Sequence, residues 1–168
     1  MLESFYDIKP LEEWLDPDNG LIYQNNESFS TLNVVPSSFG HTLVIPKRIV
    51  YKATDMTPEE LWLFYEALEK TKNEISGLAN DNTERILDLY RKWIEDDDLN
   101  GKLPARERLS VVMKDIEDGN IQGFTDFRNY GENAGQMVRQ YHEQIVPRFQ
   151  KGLKGGGESL FKYLHQTE

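Results

Sequence analysis

The chain predicts an α+β domain, a sheet of about five short strands with one long helix packed on a face. Five short runs, apolar or alternating, are bounded by turn residues. One stretch of helical periodicity, "TPEELWLFYEALEKTKNEIS", carries its own start signal. Two further helical runs lie together between Gly77 and Gln122. At 168 residues the chain suits one compact domain and is short for two.

Residues 1–20 read as a short helix, with Leu11, Trp14 and Leu15 apolar, closed by the turn "DPDNG". "LIYQ" and "ESFSTLNVV", separated by "NN", read as a hairpin. "PSSFG" then turns tightly into "HTLVIP", an apolar run typical of an inner strand, with Pro46 at its end or edge. In the long helix Thr57 caps, Pro58 suits the first turn and Glu60 completes a capping box. Leu61, Phe64, Leu68 and Ile75 form its buried stripe.

"NTERILDLYRKWIEDDD" places Ile86, Leu89, Tyr90 and Trp93 on one helical face. "ARERLSVVMKDIEDG" does the same for Leu109, Val112, Met113 and Ile116, with Gly119 as the stop. These two helices, joined by the acidic turn "DDDLNGKLP", fit a lid, a partner surface or plain packing. "GFTDFRNYG" reads as a strand ending in a turn, and "GQMVRQYHEQIV" as the last strand. The expected organisation is one domain over residues 1–150, with a helical insertion at about 78–122 and a tail at 151–168.

Composition narrows the function. A net charge of −10 argues against general nucleic-acid binding, which needs a basic stripe to displace counterions. A small anionic ligand remains compatible, because a local group of N–H donors binds phosphate on an acidic protein. With no cysteine there are no disulfides and no thiolate chemistry. The acidic start lacks signal-peptide character, and no apolar run approaches the ~20 residues that span a bilayer. The expected setting is therefore the cytoplasm, without membrane attachment.

"GQMVRQYHEQIVPR" holds one of three histidines, spaced two residues from a glutamine on each side. As a strand it puts Gln136, Gln140, His142 and Gln144 on one face. Taken alone, Q-x-H-x-Q fits a solvated edge strand better than a site. In its context, "GHTLVIPK" at Gly40 to Lys47 and an Asn-x-Gly turn leading through Gly-Gln-x-Val at Asn129 to Gln144, the chain resembles the histidine triad family of nucleotide-binding proteins. The resemblance covers residues 20–76 and 123–148, in family order. It implies a HIT-like antiparallel sheet with the long helix packed on it. Family members usually present His-x-His-x-His, where this chain has Gln140, His142 and Gln144. The third-position glutamine is similar to the transferase branch, the galactose-1-phosphate uridylyltransferases and dinucleoside polyphosphate phosphorylases. The first matches no branch.

The resemblance implies that His142 is the nucleophile on the α-phosphorus of a nucleotide. Gln144 would donate to a phosphate oxygen but has no proton to give, so phosphate-like leaving groups are favoured over amines. Gln140 would sit beside the phosphate. Asn33, seven residues before Gly40, matches the position that binds ribose hydroxyls, and reads equally well as a turn residue before "PSS". Asn129 and Gln136 match polar positions near the phosphate, with the Gly135–Gln136 backbone offering N–H groups; Asn129 as a plain turn residue is the competing reading. Met137 stands where some relatives carry a hydroxyl, His41 reads as structural, and Lys47, Arg48 and Arg148 read as solvated charge. No metal or cofactor is expected. The implied protein is a nucleotidyl hydrolase or nucleotidyltransferase acting at a nucleoside phosphoanhydride, with a nucleotide or nucleoside polyphosphate ligand and a homodimeric state. The alternative is a catalytically impaired nucleotide-binding or interaction protein.

Overall fold

The computed structural model describes residues 11–96, 105–131, 134, 136 and 138–150. The tail, most of the acidic turn, Gly135 and Met137 lie outside the described residues. Five strands form one antiparallel sheet: β1 (Leu21–Gln24), β2 (Ser28–Leu32), β3 (Thr42–Pro46), β4 (Ile121–Phe127) and β5 (Glu143–Phe149). Their order is β1-β2-β3-β5-β4. Four helices, α1 (Leu11–Trp14), α2 (Pro58–Asp81), α3 (Glu84–Glu95) and α4 (Ala105–Val112), complete the described α+β architecture. Contacts group the described residues into two compact units. The first takes 11–31, 43–74 and those of 126–145; the second takes 32–42, 75–96, 105–125 and 146–150.

In the first unit the expected hairpin forms, Tyr23 facing Ser30 and Gln24 facing Phe29, with a bulge between Leu21 and Tyr23. Asn25 makes its turn: Oδ1 accepts from the N–H groups of Glu27 and Ser28 at 3.1 and 2.8 Å. The same side chain donates to the Leu63 carbonyl at 2.8 Å, so the turn is fastened to α2. β3 is buried throughout and ends at Pro46, as an inner strand should. The capping box is present, Glu60 Oε2 accepting from Thr57 N–H at 2.7 Å and Thr57 Oγ1 from Glu60 N–H at 3.2 Å. Arg48, hydrogen-bonded to Glu60, and the Thr57 N–H hold that carboxyl down at about 2. From α2, Phe64, Ala67 and Leu68 enter the core, and Thr71 Oγ1 donates to the buried Ser30 Oγ at 2.8 Å.

In the second unit α2 runs on past the expected end at Ser76 to Asp81, because Leu78 and Ala79 extend its buried stripe beyond Gly77. α3 buries Ile86, Leu87, Tyr90 and Trp93, while the expected Leu89 is only half-buried. α4 buries Leu109 and Val112 but ends sooner than the periodicity suggests. Its last turn tightens, Lys114 N–H bonding the Val111 carbonyl, and a 3₁₀ turn over Asp115–Asp118 leads to Gly119 at φ 95°. Gly40 has φ 77°, and a Cβ there would lie 3.1 Å from Ile75 Cγ2, so this position in "GHTLVIP" requires glycine.

The last strand differs from expectation. The sequence predicts a strand over 135–146, but β5 starts only at Glu143 and continues through Pro147 to Phe149. The physical reason is competition for the backbone. Gln136 Nε2 takes the carbonyls of Val138 and Arg139 at 2.8 and 3.2 Å, and Tyr141 N–H bonds the Val50 carbonyl at 2.6 Å. Groups that a ladder would use are already engaged.

Candidate functional site

His142 therefore stands one residue before β5, not within it, and its orientation comes from hydrogen bonds more than from strand alternation. Its Nδ1 lies 2.9 Å from the carbonyl oxygen of Gln140. A carbonyl only accepts, so Nδ1 carries the proton and Nε2 carries the lone pair. The ring is 3% exposed. Burial is the main influence holding it below the ordinary imidazole value; the Gln140 carbonyl opposes this and the Arg128 charge adds to it. The outcome is a neutral imidazole in one tautomer, with its lone pair on Nε2.

Gln140 turns its amide away from any ligand role as donor. Nε2 donates to the Pro46 carbonyl and, at 3.2 Å, to that of Arg48. Both N–H bonds are used, which leaves Oε1, an acceptor with nothing to offer a phosphate. The connection after β3 is thereby pinned: Gln140 and Tyr141 hold Pro46, Arg48 and Val50, while the Arg48 guanidinium grips Glu60 at 2.6 and 2.8 Å. Gln136 is engaged in the same manner, its Oε1 accepting from Gly131 N–H at 2.7 Å in addition to the two carbonyl bonds above. Gln144 is the exception. It is 7% exposed within β5, and its side chain makes no hydrogen bond among the described residues.

Asn129 lies half-buried two residues after the end of β4, in the same unit as His142. Asn33 belongs to the second unit, where its Oδ1 accepts from Val35 N–H at 2.9 Å and its own N–H bonds the His41 carbonyl at 2.8 Å. That local bond is the geometry of a turn residue before "PSS". His41 is buried, with Nδ1 accepting from Ser37 N–H at 3.0 Å, in keeping with a structural role.

Arg128 is the residue that sequence reasoning passed over. Its guanidinium carbon sits 4.8 Å from the ring centre of Tyr141 and 5.2 Å from that of Tyr130. With Lys52, Ala53, Thr54 and Tyr130 it lines an open depression of about 380 Å³, which His142 does not line. The available signal was "FRNY", a cation among aromatic residues at the end of a strand. Burial, together with a hydrogen bond to Glu143 at 2.8 Å, pushes the Tyr141 hydroxyl up to about 12, with Arg128 opposing. Among the described residues no three acidic or histidine side chains converge as metal ligands. No described helix is long and apolar enough to cross a membrane.

A neutral, hydrogen-bonded histidine at the foot of β5, in a five-stranded antiparallel sheet with packed helices, defines a histidine-triad type of protein. The family model of the HIT domain matches residues 16–151, and the chain belongs to that family. It is 28% identical over 138 residues to the bis(5'-adenosyl)-triphosphatase of Dictyostelium discoideum, a match covering 80% of this chain and 64% of that protein. It is 25% identical over 137 residues to the protein hit of Bacillus subtilis, covering 82% and 67%. Among solved structures, a HIT family protein from Bacillus anthracis aligns at 21% identity and a TM-score of 0.49, over 86% of this chain and 79% of that one.

Proposed function

We propose that this protein is a nucleotide-processing enzyme, a nucleotidyl hydrolase or transferase acting at a nucleoside phosphoanhydride. The observation that carries the reading is the Nδ1–H bond from His142 to the Gln140 carbonyl, which leaves Nε2 as the nucleophile. In the proposed reaction Nε2 attacks the α-phosphorus and the bond to the bridging oxygen breaks. The leaving group departs as a phosphate anion that needs no proton. The nucleotidyl-imidazolium so formed keeps its Nδ1–H on the carbonyl, whose partial negative charge faces the new positive charge. Water, which loses its proton to solvent, or a second phosphate then attacks phosphorus, the N–P bond breaks with its electron pair returning to Nε2, and the ring returns to neutrality. The free amide of Gln144 is suited to donate to a non-bridging oxygen throughout. Family membership and the likeness to a bis(5'-adenosyl)-triphosphatase support this reading. An intracellular, cytoplasmic setting belongs to it, where nucleotides are abundant.

Incubation with diadenosine triphosphate tests the reading. Wild type is expected to release nucleotide and to accumulate an acid-labile nucleotidyl-histidine, and His142→Ala to lose on the order of 10³-fold or more in rate. Equal turnover by the variant overturns it. Two observations favour a second reading, binding without turnover: His142 is 3% exposed, and the Gln140 and Gln136 donors are already occupied. A nucleoside monophosphate that binds, with no turnover of any anhydride, identifies that case.

Pairing of two copies is part of the proposal. Trp62 and Tyr65, 74% and 51% exposed on one face of α2, are large apolar groups that a partner copy would cover. Light scattering is expected to give the dimer mass for wild type and the monomer mass for Trp62→Glu.

A further inference from the structure

The depression beside Tyr141 has a composition that the triad reading does not use. We propose that Lys52 and Arg128 form a subsite for the distal phosphoryl groups of a nucleoside polyphosphate, the part of the substrate that departs. The place of this subsite in a reaction rests on His142 being the nucleophile; its binding of polyphosphate does not.

Two cations face one depression on a chain of net charge −10. Neither forms an ion pair among the described residues, whereas Arg48, Lys72 and Arg91 all do. Asp55, three residues from Lys52, accepts the Lys52 backbone N–H at 3.1 Å, and Glu143 accepts the Tyr141 hydroxyl. Arg128 is held by two aromatic rings and hydrogen-bonds the Tyr141 side chain, so the guanidinium is set in place before a ligand arrives, and its five-donor fork has further N–H groups for an anion. Thr54 and Tyr130 line the same depression. A volume of about 380 Å³ falls within the ~300–1,000 Å³ of small-ligand sites, and its openness suits a hydrated, highly charged group.

Both walls are tied to the histidine. Arg128 stacks on Tyr141, the residue before His142, and Tyr141 N–H bonds the carbonyl of Val50, two residues before Lys52. The subsite also answers a chemical need. Gln144 has no proton for a leaving group, so negative charge that develops on the departing phosphate requires compensation by fixed cations instead.

Calorimetric titration with inorganic tripolyphosphate tests the subsite directly, on wild type, Lys52→Gln, Arg128→Gln and His142→Asn. Binding is expected in wild type and His142→Asn, weakening with added salt, and each cation variant is expected to lose on the order of tenfold in affinity. Equal affinity in all four proteins, or no binding to wild type, overturns the proposal. The second arm compares hydrolysis of a nucleoside triphosphate with that of the nitrophenyl ester of a nucleoside monophosphate, whose leaving group lacks the phosphate chain. The cation variants are expected to lose rate on the triphosphate and keep it on the ester; equal losses on both overturn the proposal. If wild type turns over neither substrate, the enzymatic reading fails and the titration alone decides the subsite.

Discussion

The imidazole of His142 is bonded through Nδ1 to the carbonyl oxygen two residues behind it, on Gln140, at 2.9 Å. This short-range bond fixes the tautomer without any third residue, so the histidine keeps its orientation although both flanking triad positions are glutamine. It also bears on pH. Burial lowers the folded-state value of His142 below its ordinary 6.5, so between the two values the unfolded chain binds more protons than the folded one. Stability contributed by this group is complete above 6.5 and is lost as pH falls through that value toward the folded one. Urea unfolding between pH 8 and pH 5 is expected to show this decline in wild type and a shallower one in His142→Asn. With His142 as the proposed nucleophile, the rate of anhydride cleavage is expected to stay flat above neutrality and drop only below 6.5, where the imidazole protonates.

Gln140 is expected to act on stability before it acts on chemistry. Gln140→Glu keeps the shape but puts a carboxylate against the carbonyl oxygens of Pro46 and Arg48, where two N–H donors now stand. A loss of about 1–3 kcal/mol is expected in denaturant titrations, since the part-buried Pro46 carbonyl loses its donor and faces a carboxylate instead. If the amide instead served a phosphate, Gln140→Glu would leave the unfolding midpoint in place and reduce only ligand affinity.

The elements with local signatures were legible in advance. The Thr57–Glu60 box, the "NN" turn and Pro46 at the end of β3 all rest on interactions within a few residues, which is the range that periodicity and capping rules cover. The register of Gln140, His142 and Gln144 was inferred by extending a strand upstream, and here the inference fell short. Tyr141 bonds Val50 and Gln140 bonds Pro46, partners more than ninety residues away in sequence, and no local pattern encodes such contacts. Arg128 escaped notice for a related reason: its value lies in a stack with Tyr141 that only the fold creates. Asn33 shows the opposite case, a turn residue whose local bond to Val35 was already one of the two readings.

Gln144→His is expected to change which leaving groups are tolerated. Glutamine donates an N–H but has no proton to transfer, while a histidine at this nearly buried position can protonate a departing amine. Cleavage of a nucleoside phosphoramidate is expected to rise by roughly 10²-fold relative to cleavage of the corresponding anhydride, within the usual range of general acid catalysis. Parallel assays of both substrates on wild type and variant give the ratio. An unchanged ratio means that position 144 does not face the leaving group.

The helical segment has a structural task that Tyr90→Phe isolates. Within the second unit, Tyr90 Oη accepts from Gly40 N–H at 3.1 Å and Asp115 Oδ2 from Phe39 N–H at 2.9 Å. Phe39 is fully buried, edge-on to Tyr90 and Phe149 with ring centres 5.6 and 6.4 Å apart. Removing the hydroxyl keeps the ring packing but leaves the buried Gly40 N–H without that acceptor, at a glycine already committed to positive φ. Such an orphaned donor costs about 1–3 kcal/mol. Thermal unfolding of Tyr90→Phe is expected to show that loss, and hydrogen exchange to show faster exchange at Gly40 than at the α2 amides. If the segment were packing alone, removal of one hydroxyl from an otherwise intact ring would leave both measurements unchanged. A loss confined to Gly40 and its neighbours assigns α3 the work of bracing the turn that leads into β3.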